Sequence, residues 1–457
     1  MQNSEIKSSK KSFEGHTDLI THIGMISHHG YFAGVPQLGK VDTGGQVVFV
    51  LELSKYLHEV CGVKVTIFTR LFYEEGSPIH EKELEPVSEG VKIVRIADNM
   101  SQQGFIRKEE LYPYLPESAK NIVKWINENE KIDIVHSHYV DGGILGEKVS
   151  RKLNLPWAHN SHSLGRVKRD AFIKEMTNKE EIQKIDEHFN FDLRFKNEEM
   201  IYEKCHQIFA ESLDEKTKLL KYYGKKYDKK VAIIPPGVNT EVWHPASVKR
   251  DKHPLNKLFS VKDHRYIFSV SRIDPRKGLD LLIEAVPLLR EKIKEDIKIV
   301  IGGGSKKGKK LKGYEKTLHE LASKIDPKKE FIYLTGYIPD EDILDYYNGS
   351  EVFILPARWE LFGITMLEAM ACEKPVVVTK FGGPASIIED GYNGLLVDPT
   401  NKRELASKII EVLNDIEKAD NLGKNALKTI IAKYSWLHVA EEYYNFYLKT
   451  TNSFYKQ

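Results

Sequence analysis

P-A-R-W-E-L-F-G-I-T-M-L-E-A-M-A-C-E-K-P-V-V-V, Pro356 to Val378, follows the apolar run V-F-I-L and holds two carboxylates, Glu360 and Glu368. Glu360 sits where a strand-end loop is expected. Phe362 and Gly363 turn the chain, and Ile364 to Cys372 has helix-forming composition that stops before Pro375. Glu368 is then expected to face back over the first turns of a helix whose start is crowded with free backbone N–H groups. Such a unit suits an anion with a carboxylate on either side, as the phosphates and hydroxyls of a nucleotide sugar supply. Taken alone, it reads equally well as a strand-to-helix unit with solvated acids.

Upstream, R-Y-I-F-S-V-S-R-I-D-P-R-K-G (Arg265 to Gly278) is a strand followed by a loop carrying Arg272, Arg276 and Lys277, and then by the helix L-D-L-L-I-E-A-V-P-L-L. A helix N-terminus disfavours cations unless an anion lies between them. Cations placed there neutralise a diphosphate leaving group without a metal. K-I-V-I-G-G-G-S, F-I-Y-L-T-G, V-V-V-T and G-L-L-V-D-P supply further strands, with helices between them and a helical portion from Asn401 onward. Asp340-Glu341-Asp342 resembles a D-x-D metal site. Its place after Pro339, opening a helix, is accounted for by capping and the helix dipole, so no metal is expected.

The first half shows the same alternation. H-I-G-M-I-S (22–27), K-V-T-I-F-T-R (64–70), K-I-V-R-I (92–96) and D-I-V-H-S-H (133–138) read as strands, and Q-I-F-A-E-S (207–212) as a further strand end. Val47, Val50, Leu51, Leu53 and Leu57 form a helical stripe that puts Gly44 and Gly45 at a helix N-terminus. Paired glycines there let a backbone approach an anion, or simply make a turn. Strands alternating with helices imply a parallel α/β sheet with ligands at the carboxyl ends of its strands. Three polar clusters fall at such ends: 42–46, 138–143 and 159–165, the last containing His162. Lys108 and Lys168 add cations near this edge, as a binding or a solvated face. Arg194, among aromatics in D-E-H-F-N-F-D-L-R-F, is an anion clamp or a stacked surface arginine.

At 457 residues the chain is too long for one ordinary core, so two domains are expected. The boundaries read as a solvated tail over 1–18, a first domain over 19–240, a second over 241–435, and a final helix over 436–457 returning to the first domain. V-A-I-I-P-P-G-V-N (231–239) marks the crossing. A net charge of +2 gives no argument for nucleic acid or an anionic membrane, which leaves K-K-G-K-K-L-K-G (306–313) as a solvated loop. Cys61, Cys205 and Cys372 are odd in number and scattered, implying neither disulfides nor a zinc cluster. The polar N-terminus has no signal-peptide core, and no apolar run approaches the ~18 residues of a membrane span. A cytoplasmic protein without a membrane segment is expected.

Five motifs together resemble the retaining two-Rossmann (GT-B) glycosyltransferases of the family that contains sucrose synthases and glycogen synthases: D-T-G-G-Q (42–46), S-H-S-L-G (161–165), P-P-G-V-N (235–239), S-R-I-D-P-R-K (271–277) and the Glu360/Glu368 pair. Within that family, K-E-E-L-Y-P-Y-L, S-H-Y-V-D-G-G and the loop H-G-Y-F-A-G-V-P-Q-L-G-K-V-D-T-G-G-Q are most similar to the sucrose-phosphate synthase and mannosylfructose-phosphate synthase branches. The resemblance implies two parallel-sheet domains facing across a cleft, with donor and acceptor meeting as the domains close. It also implies transfer of a hexosyl group from a nucleotide sugar to fructose 6-phosphate with retention, by attack from the face the leaving group departs. UDP-glucose with fructose 6-phosphate is the first expectation; GDP-mannose as donor or free fructose as acceptor are the alternatives.

The same resemblance puts Gly45 by the donor phosphates, Arg272 and Lys277 on the diphosphate, and Glu360 at the hexose hydroxyls. It puts Glu368 on the ribose, with Phe362, Gly363, Ile364 and Leu367 also lining the donor. His162 falls near the transferred hexose, and Gly44, Gln46, Lys108, Tyr139, Lys168 and Arg194 surround the acceptor. His162, Arg272, Lys277 and Glu360 are the implied catalytic set. No cofactor is implied, Mg2+ being at most stimulatory, and the implied partner is a sugar-phosphate phosphatase of the same pathway. Leu361 departs from the proline that near relatives carry after the first glutamate, which alters the shape of the sugar-facing loop.

Overall fold

The computed structural model describes residues 20–36, 42, 44–174, 176–293, 295–305 and 311–456. The expected tail at 1–18 and much of the lysine-rich loop after Ser305 lie outside them, as does Thr43 of the D-T-G-G-Q motif. The chain divides into two compact units. The first contains residues up to Phe209 together with Leu220–Ala232 and Ala440–Gln457; the second contains Ala210–Leu219 and Ile233–Val439.

In chain order, the first unit's sheet contains β1 (His22–Ile26), β2 (Lys64–Arg70), β3 (Leu84–Ser88), β4 (Val91–Ile96), β5 (Ile134–His138), β6 (Trp157–Asn160), β7 (Gln207–Ala210) and β8 (Val231–Ile233). The intervening helices are α1 (Gly45–Cys61), α2 (Leu115–Glu128), α3 (Tyr139–Leu153), α4 (Gly165–Ile173), α5 (Lys179–His188), α6 (Phe191–Lys204) and α7 (Leu213–Tyr223). The strands lie in the order β3-β4-β2-β1-β5-β6-β7-β8. β1 pairs in parallel with both β2 and β5. Order therefore runs outward in opposite directions from the β1/β5 junction, and the carboxyl ends of those two strands are where a doubly wound sheet takes ligands. The stripe residues of α1 are buried, as their spacing requires.

Two elements of this unit differ from the sequence expectation. β3 is an antiparallel edge strand on β4, unforeseen because its burial alternates and Pro86 interrupts it; Glu89-Gly90 is its turn, with Gly90 at φ 69°. Residues 139–143, expected only as a polar cluster at a strand end, form the first turn of α3, and Gly142 and Gly143 serve packing. A Cβ on Gly142 would stand 2.7 Å from the Ile26 carbonyl oxygen, and one on Gly143 would stand 2.3 Å from Ile201 Cδ1. Gly44 and Gly45, by contrast, have nothing within 4 Å of the place a Cβ would take. Internal packing explains the glycines of α3 and leaves those of α1 unexplained.

The second unit contains β9 (Arg265–Val270), α8 (Leu279–Lys292), β10 (Ile297–Gly302), α9 (Gly313–Ile325), β11 (Ile332–Gly336), α10 (Ile343–Gly349), β12 (Val352–Leu355), α11 (Ile364–Ala371), β13 (Val376–Thr379), α12 (Pro384–Ile387), β14 (Leu395–Val397), α13 (Lys402–Asn414) and α14 (Ile416–Thr429). Its parallel sheet runs β11-β10-β9-β12-β13-β14. The order reverses between β9 and β12, the strands that lead into the Arg272–Lys277 and Pro356–Gly363 loops. Both faces of the sheet are covered by apolar clusters, which is why its strands read as continuous hydrophobic runs.

The last helix, α15 (Trp436–Tyr455), begins within the second unit, and from Ala440 it belongs to the first. At its start, Val238 forms a short parallel bridge with Ser435, its N–H donating to Tyr434 O and Trp436 N–H donating to Val238 O. Gly237 is needed here because a Cβ would meet the Trp436 ring at 2.6 Å. No helix among the described residues is long and apolar enough to cross a membrane.

Candidate functional site

In the second unit, the loops after β9 and β12 are bound tightly to each other. Asp274 caps a short 3-10 turn, Pro275–Lys277, by accepting from Arg276 N–H at 2.8 Å. Arg358 N–H donates to Arg276 O, and the Arg358 guanidinium forks onto Asp280 at 2.6 and 2.8 Å. Gly278, at φ 66°, passes so near the other loop that a Cβ would lie 2.0 Å from Pro356 O. This contact brings Lys277 Nζ to 2.5 Å from Glu360 Oε2, with both side chains largely buried. Gly278→Ala is therefore expected to strain the backbone by ~1–3 kcal/mol and to part the two loops. Thermal denaturation should show the loss of stability; a wild-type melting temperature would refute the close approach.

The two carboxylates of the opening stretch separate. Glu360 is held by backbone pairing to the Phe381–Gly383 loop and by Lys277. Glu368, in the middle of α11, accepts from the Tyr347 hydroxyl of α10 at 2.7 Å and does not reach the start of its own helix. Burial pushes its pKa up to about 7, against the pull of the Tyr347 hydrogen bond. Gly363 caps α11 at φ 95°. Phe362 and Leu367 point into the core, so neither side chain is offered to a ligand; Ile364 is exposed. Their contribution to a donor site is limited to backbone groups. Arg272 is exposed, with no ion pair among the described residues. Asp342 occupies the N-cap position of α10 but makes no capping bond through its side chain, so the D-x-D segment owes its place to the helix start alone. Among the described residues, no group of three or more His, Cys, Asp or Glu is arranged to hold a metal.

In the first unit, the candidate residues gather beyond β1, β5 and β6. Gln46 donates to Ser27 Oγ at 3.0 Å. Tyr139 and His162 both have positive φ, 65° and 54°, a strained backbone that turns each side chain out of its strand. His162 Nε2 lies 2.9 Å from His138 Nδ1, and the edge of Phe49 packs against its ring. His29 pairs with buried Asp141 at 2.8 Å beneath Tyr139. Sequence reasoning missed this pair, although His29 follows β1 directly and Asp141 opens α3.

Lys108, Lys168 and Arg194 come together around Tyr139. Lys108 is paired with Asp42 and lies 5.9 Å from the Tyr139 ring centroid. Arg194 is buried and committed to the protein: Nε donates to Glu198 at 2.8 Å, and the terminal nitrogens donate to the Tyr139 hydroxyl and to Ser163 O, both at 2.7 Å. It is thus no surface arginine, and its clamp closes on the His162 loop. Lys168 has no close carboxylate; Glu109 stands 3.9 Å away. Burial, then Arg194 and Lys108, pull its pKa down to about 8.

Residues 252–429 match the family described as glycosyl transferases group 1, and residues 43–242 match glycosyltransferase family 4. The chain is 31% identical over 431 residues to a mannosylfructose-phosphate synthase of Agrobacterium fabrum, covering 93% of this chain and 91% of that protein. It is 30% identical over 416 residues to a probable sucrose-phosphate synthase of Thermosipho melanesiensis, with 88% and 90% covered. In fold it is similar to the sucrose-phosphate synthase structure from Thermosynechococcus elongatus, with a TM-score of 0.72 at 24% identity over 95% of this chain and all of that one.

Proposed function

We propose hexosyl transfer from a nucleotide sugar to fructose 6-phosphate, because this chain belongs to the group 1 glycosyl transferases and has their GT-B fold. The observation that supports the phosphorylated acceptor is the nearness of Lys168, whose ion-pair partner Glu109 stands 3.9 Å away, to the cations of Lys108 and Arg194. The Lys277–Glu360 pair, at the strand reversal of the second unit, carries the donor assignment. Lys277 and Arg272 neutralise the diphosphate, Glu360 reads hexose hydroxyls, and Glu368 anchors the ribose.

In the reaction the bond from the anomeric carbon to the diphosphate breaks, and the acceptor oxygen bonds to that carbon on the same face. The acceptor proton goes to the departing phosphate oxygen. The developing negative charge on the diphosphate is what Lys277 and Arg272 stabilise. No metal step is required by this route. We place the enzyme in the cytoplasm, in keeping with three free cysteines, and a phosphatase would consume its phosphorylated product.

The relatives at 31% and 30% identity differ by name in the hexose they handle, so the donor is decided by experiment. UDP-glucose, ADP-glucose and GDP-mannose are each incubated with fructose 6-phosphate, fructose and glucose 6-phosphate, and released nucleoside diphosphate is measured. Release with fructose 6-phosphate above both other acceptors is expected. Equal release without acceptor would replace transfer by hydrolysis.

The acceptor affinity should depend on pH. Lys168 is charged below its pKa of about 8 and neutral above it, while a sugar phosphate is fully ionised through that range. The acceptor KM is thus expected to rise as the pH passes up through about 8, with the donor KM unchanged. A flat acceptor KM up to pH 9.5 would remove Lys168 from the phosphate site.

A further inference from the structure

α5 folds back over α4 while burying none of its own residues. Every residue from 179 to 190 is exposed or half-buried, including Ile182 and Ile185, the apolar pair of the helix. The contacts that hold it gather on two neighbouring elements. On α4, the Phe172 ring stacks with Phe189, just past α5, at 4.7 Å between centroids. The Phe189 ring also lies 4.5 Å from Lys168 Nζ, and Phe172 lies 5.9 Å from it. Arg169, the next residue along α4, forks onto Asp186 of α5 at 2.6 and 2.8 Å. On the 3-10 turn Lys108–Glu110, Glu109 O accepts from Asn190 Nδ2 at 3.4 Å, and Arg107, just before it, lies 3.0 Å from His188 Nε2. α5 is thus fastened to the two elements that present Lys168 and Lys108, with Phe189 against one of the two ammonium groups.

A helix that buries none of its residues gains little from packing, and a half-exposed ion pair adds little more. Opening α5 therefore costs far less than unfolding the unit and leaves its core intact. Closed, the helix keeps water from Lys168, whose charge is also opposed by those of Arg194 and Lys108. An anion on the ammonium offsets both effects. The closed form therefore gains more from a phosphate than the open form does, which is the differential affinity that a ligand-driven closure needs.

We propose that α5 is the cover of the acceptor site: a phosphorylated sugar holds it closed over Lys168, and Asp186, through Arg169, is the positioning residue that latches it. The proposal rests on the reading of Lys108, Lys168 and Arg194 as the phosphate-binding groups.

Hydrogen exchange of the full-length protein, followed by mass spectrometry with and without fructose 6-phosphate, reads closure directly. At ten times the Kd of the sugar phosphate, exchange over 179–190 should slow by about tenfold, the mass-action factor for a segment that closes on its ligand. Residues 161–168, in the same site, should slow with it, and free fructose should slow neither. Asp186→Ala is the kinetic test. Charge alone would lower the acceptor KM, since a carboxylate leaves the neighbourhood of a phosphate. Loss of the latch should instead raise it by about twofold to fivefold, the worth of a half-exposed ion pair. The kcat, the donor KM and the melting temperature should not change, and Asp186→Glu, which still reaches Arg169, should restore the acceptor KM. Slowing over 161–168 without any over 179–190, or an acceptor KM for Asp186→Ala at or below that of wild type, overturns the cover. No slowing in either segment, with no release of nucleoside diphosphate that depends on fructose 6-phosphate, overturns the acceptor reading and the cover with it.

Discussion

Replacing Lys277 by alanine is expected to lower turnover by two orders of magnitude or more. The ammonium is held in place at the β9/β12 loops by a buried partner, Glu360, 2.5 Å away. Removing one preorganised group that meets charge developing in the transition state costs ~10²–10³ in kcat. The substitution also strands the Glu360 carboxylate, whose side chain is only 7% exposed, so some stability is lost as well. The two effects come apart in the double variant Lys277→Ala/Glu360→Gln. With the stranded charge neutralised, the melting temperature recovers, whereas turnover stays low because no cation has returned. A Lys277→Ala enzyme turning over within threefold of wild type would end the diphosphate assignment.

Glu198→Ala is expected to be the most destabilising single substitution in the first unit. Its carboxylate accepts from Arg194 Nε at 2.8 Å, from Gly165 N–H at 2.9 and 3.1 Å, and from the Tyr223 hydroxyl. Both members of the ion pair are 3% exposed. Breaking such a pair from one side leaves a buried guanidinium uncompensated, at a cost of ~3–5 kcal/mol. For a unit of this size that corresponds to a fall of roughly 6–20 °C in melting temperature. Calorimetry should show it in one of two transitions, and Glu198→Gln, which retains an acceptor, should fall between. The acceptor KM should rise too, since Arg194 ties Ser163 beside His162 to α6. A loss below 2 °C would mean that the pair is replaceable by solvent.

Local signals made most of the fold legible. Continuous apolar runs marked the central strands because both faces of each sheet are covered, and glycine-rich turns fell at strand ends as expected. The edge strand β3 escaped because an edge needs no such run, and Pro86 argues against a strand unless one side faces solvent. His138–Gly143 was read only as a polar cluster at a strand end, because its polar and glycine-rich composition does not announce the first turn of α3. Its glycines are dictated by Ile26 and Ile201, residues more than fifty positions away. The site divides the same way. Lys277 and Glu360 were each visible in a motif, but their pairing spans 83 positions and depends on two loops crossing at Gly278. The separate partners of Glu360 and Glu368 could not be read from their spacing, because those partners, Lys277 and Tyr347, belong to other elements. Its aromatic neighbours left Arg194 open between an anion clamp and a stacked surface arginine; burial and the pairing with Glu198, one turn on, rule out the surface reading.

The route of α15 has a consequence for synthesis. Tyr443 and Tyr447 close over His136, Phe49 and Phe209, yet they leave the ribosome only after the whole second unit has been made. At ~5–20 residues per second, the intervening stretch of about 200 residues takes roughly ten to forty seconds. Throughout that interval the nascent first unit exposes an uncovered aromatic groove beside His136. The window calls for a holding chaperone, and it makes fragments that stop before residue 440 prone to aggregation.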